Sequence, residues 1–168
     1  MTRRVVTGHR DGKGTVLYDG QAPNRRLRQA SGLVSTLVWA TDESPADISG
    51  RADRAEREIG VAPPPHGSIF RVVEFPPGQK EMSRDAVLRE MGLAGQSDAK
   101  HAGMHRTRSV DYAVVMEGEI DMILDHGEVH LAAGDVLVQQ GTDHAWVNRG
   151  ARPCRIAFVL IDARELLE

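Results

Sequence analysis

Two histidines and an aspartate are the residues of this chain best able to do chemistry. His105 lies in MHRTRSVDYAVVMEGEI and His144 in GDVLVQQGTDHAWVN, and both segments read as strands. Asp111 follows His105 by six residues. Neutral imidazoles and a carboxylate are good ligands for a borderline divalent cation, and two histidines with one carboxylate is the facial set of non-haem Fe(II) sites. His101, in KHAGMH, is an alternative ligand, because Gly103 would let that loop fold back toward His105. The set is thus His105 and His144 with Asp111, His101 or both. The expected cofactor is one divalent transition metal (Fe, Zn, Mn or Ni).

Other side chains are candidates for a pocket around these. His144 and Trp146 are two apart, so a regular strand puts them on one face. Thr107, Tyr112 and Gln140 lie on or beside the same strands. Arg71, in SIFRVVEF, could meet a substrate carboxylate with its bidentate fork, or form a surface salt bridge with Glu74. No catalytic residue is singled out.

The elements that must position these groups are mostly strands. LVSTLVW (Leu33–Trp39) and SIFRVVEF (Ser68–Phe75) are rich in β-branched and apolar residues. From Tyr112 the pattern is a meander: Tyr112–Met116, Ile120–Leu124, Val129–Leu131, Val136–Gln139, Ala145–Asn148 and Arg155–Ile161, separated by glycine-marked turns. Such short strands at this spacing predict an all-β sandwich or barrel. One helix is expected at Arg84–Met91, capped by Ser83 and stopped by Gly92. It serves either as a lid over a cavity or as cover for a sheet edge. A second short helix is expected over the charged segment Asp53–Ile59, ending at Gly60.

Composition narrows the function classes. The chain has 168 residues, suited to one domain: N-terminal strands and a short helix over 1–75, a helical insertion over 79–103, and a core over 104–161. Hydrophobic residues make up 40 % and charged residues 27 %, with a net charge of -3, which argues against nucleic acid as a partner. No visible pair of helices suggests a DNA-reading unit. No apolar run approaches a membrane span, and no apolar stretch follows MTRR, so neither a membrane nor a secretory signal is expected. Cys154 is the only cysteine; with no internal disulfide possible, the expected compartment is the cytoplasm. The expected partners are a small-molecule ligand and a second copy in a homodimer.

The segment from His105 to Asn148 resembles the cupin superfamily. Aligning Gly118 with the glycine that ends the first cupin motif puts Asp111 at its glutamate, Thr107 at its second histidine and His105 at its first. In the second motif Gly134 opens, Gln139 stands in place of proline, and Gly141, His144 and Asn148 match. FPPG, beginning at Phe75, also looks cupin-like. The resemblance implies an antiparallel β-barrel of the cupin type (double-stranded β-helix, or jelly roll), with one or two short helices and a metal held by the matching residues. Two departures bear on that site: Thr107 cannot act as an imidazole ligand, and Asp111 is one methylene shorter than glutamate. Three readings follow. The first is a metal-dependent enzyme acting on a small organic acid or an oxygenated or aromatic metabolite, by lyase-type decarboxylation, dehydration or isomerisation, or by dioxygenation. The second is a binding module without catalysis. The third is a metal-free barrel.

Overall fold

The computed structural model describes residues 1–78, 83–93 and 101–165. Its framework is antiparallel β. Strands β1 (Arg3–Arg10) and β2 (Lys13–Gln21) form an outlying hairpin. Its turn, Asp11–Gly12, has both residues at positive φ, the geometry that matches the twist of paired strands. Six strands make the main sheet in the order β3 (Asn24–Leu27), β4 (Val34–Thr41), β5 (Ser68–Phe75), β11 (Cys154–Asp162), β6 (Ser109–Glu117) and β9 (Val136–Gln140). The smaller sheet runs β10 (His144–Val147), β7 (Glu119–Leu124), β8 (Glu128–Ala132). These two sheets are the walls of an antiparallel jelly-roll barrel.

Period-two burial decides which residues meet inside. Along β6, Ser109, Asp111, Ala113 and Val115 are buried, while Tyr112, Val114 and Met116 face out. Across the sheet, Ile156 of β11 pairs with Val73 and Val115. These residues join Phe75, Ile120, Met122, Leu131, Trp146 and Cys154 in the main core. Trp146 packs on Phe75 and Phe158, with ring centroids 6.1 and 5.5 Å away. Each fully buried side chain of this kind contributes roughly 1.5–3 kcal/mol.

Two loops explain how the sheets are joined. Gly118, at φ 79°, is the single residue between β6 and β7 and carries the chain from one sheet to the other. Asn148, 1 % exposed, ties the same end: its Nδ2 donates to the Phe75 and Arg152 carbonyls, and its Oδ1 accepts from the Gly150 N–H. The glycine and the asparagine of the two motifs therefore hold one end of the barrel, and neither lines its cavity.

The helix α1 (Arg84–Met91) has the expected limits, and Gly92 adopts the left-handed C-cap with its N–H on the Arg89 carbonyl. Ser83 sits at the N-cap but makes no side-chain cap bond. Of the expected insertion at 79–103, residues 79–82 and 94–100 lie outside the described residues. The second expected helix is absent: Asp53–Ile59 is a run of turns and bends. Its charges are spent on other segments, Asp53 on Arg4, Arg54 and Arg57 on Asp42, and Glu58 on Arg26. Ala55, fully buried, pins the run to the secondary core with Leu37, Ile69 and Leu160. No described helix is long and apolar enough to cross a membrane.

Candidate functional site

His105 and His144 are brought together by the backbone. The two residues form an isolated antiparallel bridge and exchange both N–H···O=C bonds, each 3.0 Å long. Directly opposed residues project to the same side. The ring centroids are 4.5 Å apart, and both rings line a cavity inside the barrel.

Neighbouring loops fix the tautomers. His105 Nδ1 lies 2.8 Å from the Gly103 carbonyl and His144 Nδ1 lies 3.0 Å from the Thr142 carbonyl. A carbonyl can only accept, so Nδ1 carries the proton in both rings and Nε2 keeps the lone pair. The Gln139 side-chain amide, whose two ends interchange by a half-turn, lies 3.0 Å from His144 Nδ1.

Burial also keeps both rings neutral. It lowers the His105 pKa, and together with the His105 ring it lowers His144 to about 3. The folded values lie below the ordinary 6.5, so the unfolded chain binds these protons more tightly. Stability from this term is present above pH 6.5 and is lost as pH falls toward 3.

Asp111 faces the same cavity in a different hydrogen-bond network. Ser109 Oγ donates to its Oδ1 at 2.5 Å, and Thr107 Oγ1 lies 2.8 Å from Ser109 Oγ. Burial raises the Asp111 pKa to about 6, against the opposing effects of Ser109 and Arg71. The sign is opposite to that of the histidines: keeping this carboxyl ionised costs stability as pH rises through 6.

The cavity, which leaves ≈ 90 Å³ to the centres of water molecules, has largely apolar walls that include Leu33, Val61, Phe75, Trp146, Phe158 and Leu160. Helix α1 lines one side with Val87, Glu90 and Met91. Arg71 also reaches the wall, where its Nη2 donates to the Gly60 carbonyl at 2.6 Å, and no salt bridge to Glu74 forms.

The structure therefore sorts the expected residues. His105, His144, Asp111, Thr107, Trp146 and Arg71 line the cavity. Tyr112 and Gln140 do not. Tyr112 is 48 % exposed on the outer face of β6, and Gln140 is exposed one residue beyond the buried Gln139. His101 also lies off the cavity wall, with its Nδ1 accepting from the Gly103 N–H at 3.1 Å. Sequence reasoning missed Gln139, Ser109, Glu90 and Arg28. Of these only Ser109 has a signal in the sequence, two residues from Asp111 on one strand.

The donor set can be tested against a bound cation. Two imidazoles bound at a right angle through nitrogens about 2.1 Å from one ion would have centroids about 4.6 Å apart. The observed spacing and the free Nε2 lone pairs fit that arrangement. Two ligands are what the described residues supply. Among them no three His, Cys, Asp or Glu side chains form a group able to hold a metal, so Asp111 and His101 do not complete the pair.

Comparison with known proteins gives concordant matches. The family model for the Cupin domain matches residues 93–161. The cupin-domain-containing oxidoreductase srdD of Neurospora crassa is 30 % identical over 173 residues, spanning 98 % of this chain and 77 % of that protein. The phomopsin biosynthesis cluster protein D of Diaporthe leptostromiformis is 33 % identical over 172 residues, spanning 97 % of this chain and 79 % of that protein. Among solved structures, a Cupin 2 conserved barrel domain protein from Salinispora arenicola CNS-205 aligns over 83 % of this chain and 82 % of its own, with 16 % identity and a TM-score of 0.45.

Proposed function

The chain belongs to the cupin superfamily, and from that premise we propose that it is an enzyme of small-molecule metabolism whose reacting centre is the His105–His144 pair. The relatives named as oxidoreductases and as biosynthesis-cluster proteins support an enzymatic role, and within the expected reaction classes they favour oxidative chemistry. The observation that carries the reading is the cross-strand pair of neutral imidazoles, 4.5 Å apart, facing a largely apolar cavity.

In this reading His105 and His144 hold one divalent transition-metal ion through Nε2. When bound, that ion supplies Lewis-acid activation of a substrate oxygen and open positions for further ligands. The Gly103 and Thr142 carbonyls keep both rings aimed and deprotonated at Nε2. Trp146, Phe75 and Phe158 exclude water around the pair, which strengthens every charge interaction there. Asp111, with a pKa of about 6, can hold or release a proton near neutral pH from across the cavity.

A second reading is favoured by the lack of a third ligand among the described residues. In it the barrel binds a small molecule without metal, and the two Nε2 lone pairs accept hydrogen bonds from it.

Metal content decides between them. Protein purified without a histidine tag and reconstituted with Fe(II), Mn(II), Zn(II) or Ni(II) is expected to retain about one equivalent of one ion and to melt at a higher temperature with it. Thr107→Ala is expected to bind that ion as well as the unchanged protein does, because the Thr107 hydroxyl is engaged with Ser109. Retention below about a tenth of an equivalent would leave the metal-free reading. A large loss in Thr107→Ala would show that the ligand assignment is wrong.

A further inference from the structure

Arg71, in the cavity wall, forms no salt bridge with a described residue. Arg71 is 5 % exposed, and Nη2→Gly60 is its one hydrogen bond to a described residue. Its buried Nε has no partner. The acid that acts on it electrostatically is Asp111, whose Oδ1 is held by Ser109 at 2.5 Å. Burial lowers the guanidinium pKa to about 10, so the group remains charged at neutral pH. A desolvated cation is retained in a fold when something pairs with it, and here the open side of the group is the cavity.

The surroundings define what that partner is. Leu33, Val61, Phe158 and Leu160 beside Arg71 suit an apolar body. Arg28 lines the same wall, its Nη1 donating to the Glu90 carbonyl at 2.8 Å, and its positive charge adds to that of Arg71; the buried Oε2 of Glu90, on that wall, is also without a hydrogen-bond partner among the described residues. A guanidinium presents parallel N–H donors that match the two oxygens of a carboxylate.

We propose that Arg71 is the substrate's anchor: the cavity takes an organic acid with an apolar body, its carboxylate on Arg71 and the remainder directed toward the His105–His144 pair. The inference rests on the reading of this cavity as the substrate site. It adds the substrate class, and Arg71 acts in it by binding, with no part in the bond changes.

Calorimetric titration with 3-phenylpropionate and with its uncharged isostere 3-phenylpropionamide tests it, on EDTA-stripped protein so that direct metal ligation cannot contribute. The acid is expected to bind the unchanged protein at least about tenfold more tightly than the amide. Arg71→Met keeps the length of the side chain and removes the charge; it is expected to bind both probes within about twofold of each other. Its melting temperature should match or exceed that of the unchanged protein, because the cation removed had no ion pair. Arg71→Lys, which keeps the charge without the fork, should retain a weakened preference for the acid and covers the case in which Arg71→Met fails to fold. Equal binding of acid and amide, no binding of the acid up to its solubility limit, or a preference that survives in Arg71→Met would each overturn the assignment. Failure of the metal reading would appear separately, as low metal content with the acid preference intact.

Discussion

His144→Ala is expected to reduce metal occupancy after reconstitution from about one equivalent to below about a tenth, and activity by at least about a hundredfold. The described residues offer two imidazoles and no third ligand, so removing either ring leaves one donor. One neutral nitrogen from a buried strand does not hold a divalent ion against water. The fold should survive, because the bridge between the strands is made by the backbone groups of residues 105 and 144 and needs no side chain. Equilibrium dialysis followed by elemental analysis gives the first quantity, and circular dichroism checks the second. A second effect separates this loss from general damage. His144 resists protonation down to about pH 3 in the folded protein, so its removal should flatten the fall in stability between pH 6.5 and 3. Full metal retention in His144→Ala would place the ligands elsewhere and defeat the proposed centre.

Gly118→Ala is expected to destabilise the protein by about 3 kcal/mol or more, lowering the melting temperature by roughly 6–12 °C. Two costs combine. The residue sits at φ 79°, which side chains of L-residues rarely adopt. A Cβ there would also lie 2.7 Å from the Pro153 carbonyl oxygen and 3.0 Å from the Cys154 Cα. Both neighbours are backbone at the start of β11, the strand that pairs with β5 and β6, so neither yields cheaply. Gly127→Ala is the matched control. It has φ 91° but nothing within 4 Å of the added Cβ, so it should lose only about 1 kcal/mol. Urea denaturation of the two variants measures both losses. Equal losses would show that the contact with β11 has no weight.

Much of this architecture was legible in the residues. Ser68–Phe75 and Arg84–Met91 have the limits the sequence predicts, because proline, serine and glycine punctuate an otherwise unambiguous period. Residue type, spacing and the motif resemblance single out His105 and His144, and the structure brings their rings together. The turns at Asp53–Ile59 were not, since their conformation depends on partners far along the chain, Arg4 at one end and Asp42 in the middle. A charged amphipathic run looks helical until those partners are known. Gln140 was preferred over Gln139 for a related reason. Alternation says that adjacent glutamines face opposite ways, and only the pairing of Gln139 with Asp111 says which one faces in. Tyr112 is excluded by the same register, one residue from Asp111 and on the opposite face. For Arg71 the sequence leaves two readings open, a substrate carboxylate or a salt bridge to Glu74, because a buried and a surface arginine read alike in the string SIFRVVEF.

Cys154, the chain's single cysteine, lies in the main core with no exposed surface, its thiol pushed up to about 11 by burial. A folded molecule therefore withholds its one sulfhydryl from alkylating reagents, while an opened molecule surrenders it. Labelling at that position becomes an internal clock for how often β11 comes free of the barrel, readable by mass spectrometry without altering the sequence.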